Sequence, residues 1–89
     1  MRTTPNGHIV PSIHLNGTSK ESLMQQLTDV RVAINALLAA MYNAFPNARD
    51  YYVQGTDAFI EAEKQWDTRI GIVNNLESEI VEIEFALDG

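Results

Sequence analysis

The stretch "LMQQLTDVRVAINALLAAMYNAFP", residues 23–46, decides the fold. Apolar residues recur in it at Leu23, Leu27, Val30, Ile34, Leu37 and Met41, in alternating steps of four and three. That is the seam of an amphipathic helix and not the period of two that a strand requires. Upstream, "TSKE" at residues 18–21 reads as a capping box: Thr18 accepts from the Glu21 amide while the Glu21 carboxylate returns to the Thr18 amide. Asn16-Gly17 before it reads as a turn. Pro46 disfavours helix at its predecessor, so the first helix is expected over about residues 19–45.

A second helix is expected over about residues 57–87, with Thr56 as its cap and Asp57 against its positive end. Its seam reads Phe59, Ala62, Trp66, position 69, Val73, Leu76, Ile80, Ile83 and Leu87. The closing "EIVEIEFAL" also alternates like a strand, which makes its helical state the least determined. At 1.5 Å per residue the helices reach about 40 and about 46 Å, matched for an antiparallel hairpin. The fold class is therefore all-α. Residues 1–17 form an N-terminal arm and 18–89 a helical hairpin domain.

Two helices cannot enclose a core. Met24, Leu38, Tyr42, Ile60, Ile70 and Ile72 flank the seams and are expected to stay uncovered, while Ala33, Ala36 and Ala40 permit close approach on a further face. The expectation is a homo-oligomer, either a dimeric four-helix bundle or a higher ring. The arm, with Ile9, Val10, Ile13 and Leu15, is expected to lie across a neighbouring hairpin or to be disordered over its first seven residues.

Composition narrows function. The 89 residues contain no cysteine, so no disulfide and no thiolate metal site. His8 and His14 are the only histidines, and no metal site or cofactor is expected. The net charge of −6 is uneven: residues 1–56 carry four basic and three acidic side chains, residues 57–89 two basic and nine acidic. Such a field repels the phosphates of a nucleic-acid duplex and suits a solvated helix face. Arg2 alone at the start and the lack of a continuous apolar run argue against a signal peptide or a membrane span, which places the chain in a cytosol. The Asn16-Gly17-Thr18 glycosylation acceptor is accordingly dismissed.

Polar interruptions of the apolar stripes mark candidate binding residues. Arg69 occupies a seam position, and the stripe Met24, Thr28, Arg31, Asn35, Leu38, Tyr42 is polar in its middle. A register that sets Asn35 opposite about residue 68 brings Arg31, Asn35 and Arg69 together at mid-height, a cradle for an oxyanion or phosphate. Each arginine has an alternative use in pairing with Asp29 or Asp67, or at an oligomer rim. Trp66, one turn from Arg69, is a core residue or a stacking platform. The connection Pro46–Gly55 is long for a helical bundle and carries Arg49, Tyr51, Tyr52 and Gln54. These suit an aromatic anion, or else close the bundle end and pack on a neighbouring subunit.

The run "IHLNGTS" (13–19), followed by "PNARDYYVQG" (46–55) and a second acidic helix, resembles a group of small uncharacterised proteins of tailed bacteriophages and prophages, over Ile13 to Leu87. In architecture alone the chain is also similar to the hairpin-domain phage sponge proteins that counter CBASS and Thoeris immunity. That resemblance implies a small oligomer of antiparallel helices that sequesters a cyclic nucleotide or cyclic ADP-ribose signal between subunits, in the host bacterial cytosol. It carries over no binding residue. The leading expectation is such a non-enzymatic sponge. The alternative is a phage structural or assembly protein, or an inhibitor of a host protein. An enzyme is the weakest reading: no histidine lies near a nucleophile, no glycine-rich phosphate loop exists, and no Glu-x-x-His spacing occurs.

Overall fold

A computed structural model describes all 89 residues. Helix α1 spans Lys20–Asn43, a 3-10 turn spans Ala48–Asp50, and helix α2 spans Thr56–Asp88. The two helices pack as an all-helical antiparallel hairpin without a named strand. No helix is long and apolar enough to cross a membrane. The closing segment is helical through Asp88, so its alternation of apolar residues does not make a strand.

Helix starts differ from the sequence expectation by one residue. Ser19, not Thr18, caps α1, its hydroxyl accepting from the Ser22 amide at 3.1 Å. Gly55, not Thr56, caps α2, at φ 105° and ψ 164°, a conformation open to glycine alone. With glycine there, no side chain caps α2, and its first amides are left for other partners.

The core is a short seam at mid-height. Ile34, Leu38 and Ile70 are buried, with Met41, Phe45, Trp66, Val73 and Ile80 packed against them. The expected seams are therefore rotated: Leu38 and Ile70 point inward, whereas Val30, Leu37 and Leu76 are exposed. Both phases satisfy steps of three and four, because Leu37-Leu38 and Arg69-Ile70 each offer neighbouring choices. Arg69 is thus exposed and does not interrupt the seam.

The register is shifted by about one turn from the expected one, since the Trp66 indole Nε1 donates to the Met41 carbonyl at 2.8 Å. That carbonyl is one of the four at the end of α1 that lack a helical partner. The shift leaves the first turns of α2 projecting past α1. The connecting segment folds back over them, with Tyr51 against Phe59 at 6.1 Å between ring centroids.

The arm is ordered and docks on its own hairpin, not on a neighbour. Gly7, at φ 88°, turns it so that Thr3 and Ile9 form an antiparallel bridge. The turn then binds the outer side of α2. Thr4 Oγ1 donates to Glu82 at 3.1 Å, Asn6 donates to the same carboxylate, and Arg2 donates to the Ala86 carbonyl. His8 stands between Glu79 and Glu82, at 3.3 and 3.7 Å. Val10 and Leu87 are buried at this end, and Lys20 Nζ reaches the Asp88 carbonyl at 3.0 Å.

The hairpin is long and thin, 62 × 22 × 17 Å. Its radius of gyration is 18.5 Å, against about 12 Å for a compact domain of this length.

Two outcomes check this arrangement. Ile70→Ala should lower unfolding free energy by about 2–4 kcal/mol in urea titrations. Val32→Ala, on the exposed side of α1, should change it by less than about 0.5 kcal/mol. Separately, Glu82→Ala should accelerate hydrogen exchange at the Thr4 and Val10 amides, which bond to His8 and Arg2 carbonyls, while leaving the amides of α1 protected.

Candidate functional site

The structure does not bring Arg31, Asn35 and Arg69 together. Arg31 occupies the inward side of α1 and reaches toward the far end of α2. Its Nε donates to Glu84 Oε1 at 2.9 Å and its Nη2 to Glu84 Oε2 at 3.5 Å. Arg69 lies fifteen residues earlier on α2, about 22 Å away along the axis. Asn35 is exposed between them and has no side-chain hydrogen bond. The rotation of the seam and the one-turn register shift together cause this separation.

Arg31 is consequently a structural cation. Its hydrogen bond to Glu84, then the Glu84 charge, hold its pKa above the already high ordinary value, and Glu77 adds to the effect. A raised pKa in the folded state means that the arginine's side of the pairing is lost only far above neutrality. Beside the pair is an open cleft of about 350 Å³ lined by Met24, Arg31, Val81, Glu84, Phe85 and Asp88. With its one cation matched by Glu84 and a second carboxylate in the wall, this cleft has nothing to offer an anion.

The basic side chains divide by position. At the arm end Arg2, His8, Lys20 and Arg31 are all engaged with groups of α2. Toward the loop end Arg49, Lys64 and Arg69 form no ion pair. The guanidinium of Arg69 lies over the Trp66 ring, 5.5 Å from its centroid, an attraction of about 0.5–1 kcal/mol at an exposed site. Trp66 is half-buried and turns its indole N–H inward to Met41, so it serves packing on one side and Arg69 on the other.

The loop gathers the remaining candidates. Asn47 accepts from the Arg49 amide at 3.1 Å, which starts the 3-10 turn and sets Tyr51 against Phe59. Behind them is a pocket of about 210 Å³ lined by Ala48, Tyr51, Tyr52, Gly55, Thr56 and Phe59. Two features meet there, aromatic walls and the uncapped start of α2, and Arg49, next in the chain to the lining residue Ala48, forms no ion pair. Tyr52 is largely exposed and Tyr51 half-buried. Arg69 stands ten residues beyond Phe59, about 15 Å along the helix, and belongs to the Trp66 platform.

No group of three or more His, Cys, Asp or Glu side chains is arranged to hold a metal ion. Of the loop residues singled out in the sequence, Tyr51 and Tyr52 line the pocket and Arg49 does not, and sequence reasoning missed two features. One is the Arg31–Glu84 pair, whose signal is a cation and carboxylates (Glu77, Glu84) in the buried phase of opposing helices. The other is the bare start of α2, whose signal is Gly55 immediately before the apolar run.

Trp66→Phe, which removes the indole donor and leaves the Met41 carbonyl without it, should cost about 1 kcal/mol of stability. Arg69→Gln should cost less than about 1 kcal/mol. Chemical denaturation of the two variants measures both. No protein-family description, curated protein or solved structure matches the chain.

Proposed function

We propose that this chain is a non-enzymatic binding protein that captures a small anionic ligand bearing an aromatic group, of the nucleotide class, in the tyrosine pocket at the loop end. The observation that carries this reading is the pocket itself: aromatic walls from Tyr51, Tyr52 and Phe59 converge on the start of α2. There the backbone amides lack a capping side chain. Such amides and the helix dipole favour negative charge. Tyrosine faces accept a base by stacking, and Arg49 adds a forked donor that is not used elsewhere.

At about 210 Å³ the pocket accommodates one base or one phosphate group, smaller than the usual range of about 300–1,000 Å³ for whole ligands. A cyclic dinucleotide, cyclic trinucleotide or cyclic ADP-ribose would extend beyond it and be completed by another subunit. Sequestration of such an immune signal by a phage-encoded homo-oligomer is the form of this function that the phage-protein resemblance favours.

A second reading is a phage assembly protein or an inhibitor that binds a host protein. It is favoured by Phe85, which is 82% exposed beside Val81 and Met24 in a cleft that also carries Arg31, Glu84 and Asp88.

Thermal denaturation against cyclic dinucleotides, cyclic trinucleotides and cyclic ADP-ribose isomers separates the two. A sponge should be stabilised by one class, increasingly with the logarithm of its concentration and by about 2.7 kcal/mol at a hundredfold excess over Kd. Tyr52→Ala and Arg49→Gln, both at exposed positions, should weaken that response without altering unliganded stability. A flat response across the panel from a folded protein would sink the sponge reading and make capture from infected cells the next step.

A further inference from the structure

The hairpin exposes more surface than its mass requires. Its accessible area is 6402 Å², against about 5,200 Å² for a compact monomer of this size. The excess of about 1,200 Å² exceeds the roughly 800 Å² that each partner contributes to a stable pairwise interface.

Three partly exposed apolar residues of the two helices share one face of the hairpin. Val30 is 42% exposed, Leu37 48% and Leu76 46%. At about 100° of rotation per residue, Val30 and Leu37 lie on one side of α1, roughly 60–80° from its buried stripe, and Leu76 has the same offset on α2. The helices run antiparallel, so equal offsets fall on the same face of the hairpin. Leu23 and Ile83, half-buried, continue that face toward the arm end, and the small Ala33 lies on it between Val30 and Leu37.

The apolar stripe of α1 is also wider than a lone hairpin needs. A helix in a lone pair needs one seam, whereas a helix in a four-helix bundle meets two neighbours and needs a wider one. On α1 the series Leu23, Leu27, Val30, Ile34, Leu37, Met41, taken together with Leu38 and, just past the helix end, Phe45, is that wider stripe. Its Ile34 side closes the hairpin, and its Val30 and Leu37 side is left 42–48% exposed.

We infer that this face is covered by a second copy of the same chain, packed face to face about a two-fold axis near Ala33, with the two hairpins antiparallel. Charge fixes the direction. Residues 71–89 carry five carboxylates and no Lys or Arg. A parallel pair would set those two acidic ends side by side, whereas the antiparallel pair sets each over the partner's loop end, where the unpaired basic side chains are. In this arrangement α1 lies over α1 of the partner and Leu37 meets Val30 of the partner subunit. The inference goes beyond the pocket reading and is independent of whether any ligand binds.

The test combines native mass with cysteine cross-linking, which the cysteine-free chain allows. The unsubstituted protein should run at twice its monomer mass in light scattering. Leu37→Glu should weaken association more than tenfold, and Phe85→Glu, on the other face, should leave it unchanged. Ala33→Cys should form an intermolecular disulfide under mild oxidation, while Tyr42→Cys should not. If Leu37→Glu fails to fold, the cross-links decide alone. A monomeric native mass, or cross-linking through Tyr42→Cys in place of Ala33→Cys, overturns the inference. Dissociation by Leu37→Glu without an Ala33→Cys cross-link overturns the antiparallel arrangement.

Discussion

Ile34, Leu38 and Ile70 form the only place where the two helices exclude water from side chains on both sides, and the rest of the hairpin is organised around that contact. Apolar burial is worth about 25 cal/mol per Å² and must offset the ordering of every residue in the chain. Only six of 89 residues are buried, so the margin from this contact is small. The other fastenings are polar and lie toward the ends. Trp66 holds the last turn of α1, Arg31 and Glu84 join the helices near the opposite end, and the arm clasps the final turns of α2.

This distribution explains why the cations cannot all serve one site. A cation at the arm end faces the densest carboxylate region of the chain and is neutralised there, as Arg31 is by Glu84. A cation toward the loop end meets aromatic rings instead, as Arg69 meets Trp66. The same charge asymmetry therefore sorts the basic side chains into structural and available groups. The available group lies near the loop, with the bare start of α2.

Much of the fold was legible because helix periodicity survives in a single chain: two helices, their approximate bounds and the long loop all follow from the spacing of Leu, Ile and Val and from Pro46 and Gly55. Rotation was not legible, because Leu37 and Leu38, or Arg69 and Ile70, fit the same spacing in two phases. The choice between them depends on which neighbour the stripe meets. Register was not legible either, since the fold-back of Tyr51 on Phe59 leaves no periodic trace, and a one-turn error was enough to place Arg31, Asn35 and Arg69 together on paper. The arm escaped for a different reason. Its docking rests on Thr4, Asn6 and His8 meeting Glu79 and Glu82, a set of short polar contacts without any repeat. Of the candidate site, Tyr51, Tyr52 and Arg49 were readable from composition in an over-long connection, while the bare α2 start required the backbone.

The arm also imposes an order on folding. Thr4 and Asn6 find Glu82 across sequence separations of 78 and 76, the most distant pairing in the chain apart from Arg2 with Ala86. Closing a loop of that length has to follow formation of the hairpin, because before then the carboxylates have no fixed place. During synthesis the first dozen residues therefore emerge long before their docking surface exists. They stay undocked until the last turns of α2 have formed, and docking then joins Thr4 and Asn6 to a carboxylate made 78 and 76 residues later.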